Sequence, residues 1–227
     1  MERETKVPAQ LGVLETVLLF VGVVLLLLLG ARFALGFVKF GHKHRNSEAK
    51  SNLKSLFTAQ RAYFQEKDRY GRGVHEIGFA PERGNRYAYF LQASGSIDLR
   101  DFAEETHHDD AVIIWTDRFR FQNALAPTGF AGTGCPVTLG KDAEGNPRGV
   151  GIWGTAPQQD FIAVAAGNLD DDSTLDCWSI ASMDRVDAHG EPILAGQPYQ
   201  EQDDGARPTR WARIRKVVLG PLAPDPD

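Results

Sequence analysis

Between Gln10 and Pro81 the chain contains no proline. Proline is the residue that most reliably ends a helix, because it lacks an N–H and its ring collides with the preceding turn. Inside this window Val17–Ala31 is almost wholly apolar, Arg32 interrupts, and Phe33–Val38 resumes the run. With no loop signal between them, the sequence then turns amphipathic from Ser47 to Phe64. The reading is one long helix from Leu11 to about Tyr70, ended by Gly71-Arg72-Gly73.

The first half of that helix has the length of a membrane span. About 20 apolar residues cross a hydrocarbon core of roughly 30 Å, and Val17–Val38 reaches that length. Gly30 and Gly36 are tolerated in membrane helices, and Arg32 reaches for the interface by snorkelling. The run exceeds the roughly 7 to 15 apolar residues of a secretory signal, which favours a retained anchor. The competing reading is a cleaved signal ending weakly at Leu29-Gly30-Ala31. Lys39, Lys43 and Arg45 follow the span, whereas Arg3 and Lys6 precede it beside Glu2 and Glu4. Taken alone, that bias puts the following domain in the cytoplasm.

In the amphipathic half, Leu53, Leu56, Phe57, Tyr63 and Phe64 recur at spacings of a single helix face. Lys50, Lys54, Arg61, Glu66 and Lys67 lie mostly off it. Such a stripe accepts a sheet. The remainder of the chain is rich in Gly, Pro, Asn and Asp, which suits a loop-rich β domain. Tyr87–Ala93, Gln159–Gly167 and Cys177–Met183 read as strands, the last two as a hairpin with an acidic tip. Ala111–Trp115 reads as strand or buried helix, and Trp211–Leu219 as strand or helix. Asp98–Asp110 and Ala124–Pro136 read as irregular, and Pro147–Gly154 as turn-rich. The class is α+β: a long N-terminal helix, transmembrane and then amphipathic, packed on an antiparallel sheet. The expected organisation is a cytoplasmic head over 1–10, a transmembrane half-helix over 11–45, a globular domain over 46–222 and a flexible tail over 223–227.

A net charge of -5 gives no electrostatic reason to bind nucleic acid. There is no Gly-x-Ser-x-Gly, no phosphate loop and no Cys-x-x-Cys, so neither an enzyme nor a small-molecule substrate is expected. Asn168, Asp170, Asp172, Thr174 and Asp176 place oxygen donors at every second position, the spacing a hard cation such as calcium uses. Ser173 and Ser179 stand where an EF-hand loop would carry its Gly and its Glu, and an Asn/Asp-rich hairpin tip needs no metal. His107-His108 is a weak transition-metal pair, because adjacent side chains diverge in either helix or strand. Cys135 and Cys177 are the only cysteines. They are reduced and buried if the domain is cytosolic, and bridged if it lies outside an inner membrane.

Three segments resemble the type IV pilins of Gram-negative bacteria. Ser47-Glu48-Ala49-Lys50-Ser51-Asn52-Leu53-Lys54-Ser55-Leu56-Phe57-Thr58-Ala59-Gln60 is similar to their helix. Gly78-Phe79-Ala80-Pro81-Glu82-Arg83-Gly84-Asn85-Arg86-Tyr87-Ala88-Tyr89 is similar to the start of their αβ-loop in one branch, and Gly167–Ile180 to the late hairpin of that branch. The resemblance implies a ladle-like pilin or pseudopilin, with a Cys135–Cys177 disulfide stapling the C-terminal region. It implies other pilin subunits and the inner membrane as partners. It also implies a single-pass anchor, a periplasmic or extracellular domain, and a role in a pilus or secretion apparatus, including adhesion. Pseudopilins bind calcium in a comparable loop. The head departs from the family: prepilins carry Gly, then an aromatic, then Glu five residues after the Gly. Here Gly12 is followed by Val13, Val17 lies five beyond it, and Glu15 is the nearby acid. An unprocessed, membrane-tethered binding module is therefore the alternative expectation.

Overall fold

The computed structural model describes residues 12–101, 106–122, 124, 126–169 and 174–204. The chain divides into two compact units, Met1–His44 and Arg45–Asp227. Among the described residues one α-helix, α1, spans Val13–Lys67. The expected head and tail, and the segment Trp211–Leu219, lie outside the described residues.

In the first unit α1 is continuous helix through the apolar run. The side chains at 33–45, which complete the expected span, lie outside the described residues. Among the described residues no helix is long and apolar enough to cross a membrane.

In the second unit α1 stops earlier than the glycines suggest. Asp68 adopts a left-handed φ of 52°, and its N–H donates to the Phe64 carbonyl at 2.9 Å. Aspartate tolerates that region better than most residues, so the helix closes at Lys67 rather than at Gly71-Arg72-Gly73. The buried face of the helix comprises Ala49, Leu53, Leu56 and Gln60, with Phe57, Tyr63 and Phe64 half-buried beside it. Burying Leu53 and Leu56 stabilises by roughly 1.5 to 3 kcal/mol each.

Among the described residues nine strands follow: β1 (Ala88–Phe90), β2 (Ile97–Asp98), β3 (Ile113–Ile114), β4 (Gly151–Thr155), β5 (Gln158–Gly167), β6 (Asp176–Ala181), β7 (Arg185–Val186), β8 (Pro192–Ile193) and β9 (Tyr199–Gln202). The main sheet runs β2-β3-β1-β5-β6-β9, and β7 pairs with β8 and, through Val186, bridges Lys141. Every pairing is antiparallel except β2 with β3. β1 and β4 share one edge of β5, β1 opposite Val164–Ala166 and β4 opposite Gln158–Ile162.

Strand alternation divides the sheet between two cores. Tyr89, Ile114, Phe161, Ala163, Ala165, Trp178 and Ile180 face the core that contains Leu53 and Leu56. Phe90, Ile113, Ile162, Val164 and Cys177 face the second, which is covered by Trp115, Phe130, Leu139 and Val150. Both faces of the sheet are thus buried, and β5 and β6 read as near-continuous apolar runs for that reason. Cys135 and Cys177 form a disulfide across a sequence separation of 42, pinning the covering loop to β6.

Two segments correct the sequence reading. Pro147–Gly154 is not simply turn: Gly151–Thr155 is β4, laddered to β5, with Gly151 and Gly154 at positive φ. The irregular stretch beginning at Asp98 starts as β2, with Ile97 opposite Ile113. Ala111–Trp115 resolves as strand at Ile113–Ile114.

Polar ties close the domain. Buried Arg185 donates to Glu201 Oε1 at 2.8 Å and to the Leu139 carbonyl and Ser179 Oγ. Asn85 donates to the carbonyls of Tyr87 and Trp115, at 2.8 and 2.9 Å.

Candidate functional site

The first candidate surface is the apolar run of α1. Leu26, Leu27, Leu28 and Leu29 are 61 to 71% exposed, and Val17–Phe20 are exposed as well. Successive helical residues point about 100° apart, so four exposed in a row encircle the axis. A soluble surface helix buries one stripe; one apolar all round belongs in an apolar surrounding. At about 25 cal/mol per Å² of apolar surface, leaving this many large side chains in water costs many kcal/mol.

The second candidate is the hairpin between β5 and β6. Of the five expected calcium ligands, Asp170 and Asp172 lie outside the described residues. Thr174 Oγ1 donates to Asp204 Oδ1 at 2.6 Å, and the Leu169 N–H donates to Asp204 Oδ2 at 2.8 Å. Asn168 adjoins Leu169 at the same end of the hairpin and is half-buried. Asp176 points into the protein. Its Oδ2 accepts from the Tyr87 hydroxyl and Trp178 Nε1, both at 2.6 Å, and its Oδ1 from Gln200 Nε2 at 2.7 Å. Burial pushes the Asp176 carboxyl above its ordinary range despite these donors. Asp204, which the sequence reading passed over, is the buried carboxylate at the base of the loop. Its only sequence signal was its place beside Asp203, in a polar stretch with no evident pattern.

Beside the apolar contact of α1 with the sheet sits a half-buried polar tie. Glu48 Oε1 accepts from the Arg86 N–H at 2.8 Å and from the Tyr89 hydroxyl at 3.3 Å. Burial raises its pKa, and those hydrogen bonds offset only part of the shift. Glu76 is the opposite case. Burial pushes its carboxyl up, but the Tyr63 hydroxyl, Arg69 and the N–H groups of Gly73 and Arg72 outweigh it and bring it down to about 2. Asp117 is likewise held below the ordinary carboxylate range: burial works against it, and the Gly84 N–H and Arg83 outweigh that. These groups are accounted for as structural ties.

His107 does not join His108. It lies against His75 with ring centroids 3.9 Å apart, and both face Asp98.

Residues 40–176 match a protein-family model described as Type IV pilin PilA. The chain is also 37% identical over 190 residues to the Type IV major pilin protein PilA of Myxococcus xanthus (strain DK1622), covering 75% of this chain and 81% of that one.

Proposed function

This chain belongs to the type IV pilin PilA family, and we propose that it is a pilus subunit anchored in a membrane through the apolar half of α1. A type IV pilin is a structural subunit rather than an enzyme, and its partners are other pilins. The observation that carries the anchoring is the ring of exposed leucines, Leu26 to Leu29. That surface needs a bilayer or the apolar flanks of neighbouring helices around it. We place the globular domain on the oxidising side of an inner membrane, periplasmic or carried outward on the pilus. The disulfide favours this, against the basic flank Lys39, Lys43 and Arg45.

The head supports a second reading. Val13 and Val17 stand where a prepilin carries its aromatic and its Glu. On that reading the chain stays uncleaved in the inner membrane and presents its sheet and acidic loop to a partner, in a pilus or a secretion apparatus. Intact mass in two native fractions, sheared filaments and washed inner membrane, separates the two. A chain lacking its head in filaments supports the subunit; a full-length chain confined to the membrane supports the tethered module.

We carry the loop Asn168, Asp170, Asp172, Thr174 and Asp176 forward as a calcium proposal, supported by donor spacing and by buried Asp204 at its base. Titration calorimetry tests it. No heat, with a melting temperature unmoved between calcium and chelator, ends the idea.

A further inference from the structure

We propose that His75, Asp98 and His107 form a binding site for a divalent transition metal of the zinc class. The three donors come from separate segments that the fold draws together. His75 sits in the turn after α1, held where the Val74 N–H donates to the Ala111 carbonyl at 2.7 Å. Asp98 ends β2 and is buried. His107 follows Thr106, whose Oγ1 accepts the Leu99 N–H at 3.1 Å and so fixes the returning chain against β2.

Asp98 is oriented before any metal arrives. Its Oδ1 accepts the His108 N–H at 2.8 Å, which leaves Oδ2 aimed at the two imidazoles. His75 Nε2 lies 2.5 Å from Oδ2 and His107 Nδ1 lies 3.7 Å from it. All three donor atoms fall within 4.8 Å of one another. Zinc bonds nitrogen and carboxylate oxygen at about 2.0 to 2.2 Å, so donors around a tetrahedral ion sit roughly 3.3 to 3.5 Å apart. The His107 separation nearly meets that spacing. The His75 separation opens by about 1 Å when the ion replaces the bridging proton.

A plain His–Asp hydrogen bond explains His75 alone. It leaves unexplained why a second imidazole turns its Nδ1 toward the same oxygen from beyond hydrogen-bonding distance. The far nitrogen of His107 faces exposed Asp109 Oδ1 at 3.9 Å, beyond hydrogen-bonding distance. Two imidazoles with one carboxylate suit zinc, nickel or copper rather than calcium or magnesium. The His107 side chain is 64% exposed, which gives the ion a path in and water a fourth position.

The test uses the full-length chain in detergent micelles, stripped with chelator and titrated with zinc, then with cobalt as a visible-absorption probe. The expected result is one equivalent per chain, a raised melting temperature, and d–d bands of a nitrogen–oxygen site. His75→Asn and His107→Asn should each weaken uptake more than about a hundredfold, beyond the roughly 10- to 100-fold loss usual for an outer-shell partner. His42→Asn with His44→Asn should bind as the parent does. His107 is exposed, so its variant folds even if changes at His75 disturb the turn. Absent uptake overturns the site. So does uptake that survives both substitutions, or that vanishes with His42 and His44.

Discussion

Gln60 and Gly71 hydrogen-bond each other twice. Gln60 Nε2 donates to the Gly71 carbonyl at 2.7 Å, and the Gly71 N–H donates back to Gln60 Oε1 at 3.0 Å. One side-chain amide thus completes the peptide group of a glycine that has just left the helix. Both residues are buried, and a Cβ at Gly71 would lie 2.3 Å from Ile77 Cγ2. Gln60→Leu keeps the volume but strands two backbone groups, at about 1 to 3 kcal/mol for each buried group left unpaired. Chemical denaturation should show a loss of about 2 to 6 kcal/mol.

Glu76 makes stability depend on acid. Its folded pKa of about 2 lies below the ordinary 4.5. Its contribution is therefore present above pH 4.5 and fades as pH falls through that value toward 2. The carboxylate is partly exposed, so solvent screening reduces the effect. Melting curves between pH 6 and pH 2 should converge for the parent and Glu76→Gln, with the parent more stable only at the upper end.

Reducing the Cys135–Cys177 bridge frees a loop spanning 42 residues of sequence separation. Under the chain-entropy account that costs roughly 4 kcal/mol. Paired Cys135→Ser and Cys177→Ser should melt well below the parent, and reductant should lower the parent's melting temperature toward theirs.

Arg185 and Glu201 make an ion pair that is almost fully buried. Arg185→Met abandons the Glu201 carboxylate and the Leu139 carbonyl inside the fold. A loss of about 3 to 5 kcal/mol is expected. Arg185→Met with Glu201→Leu should recover part of it in a double-mutant cycle.

Much of the architecture follows from local pattern. The β5–β6 hairpin announces itself through Phe161–Gly167 and Cys177–Ala181, because strands buried on both faces are apolar throughout. Leu53 and Leu56 mark the helix seam by periodicity, but Ala49 and Gln60, which complete it, carry no hydrophobic signal. β4 hides beneath Gly151 and Gly154, since its strand character comes from β5 rather than from its own residues. β9 is polar and half-buried, an edge strand that carries no apolar pattern to announce it. The encounter of His75 with His107 depends on β2 lying beside β3, a pairing that neither histidine's neighbours encode. Likewise Asp204 reaches the β5–β6 loop only through tertiary folding.

β5 is paired with β1, β4 and β6, and its side chains enter both cores. An amide in its middle can be freed only by dissolving the two cores together. Its protons should exchange with solvent at the rate of global opening, while β7, β8 and β9 exchange sooner. In a subunit built this way the outlying strands can open while β5 holds, and β5 yields only with the whole domain.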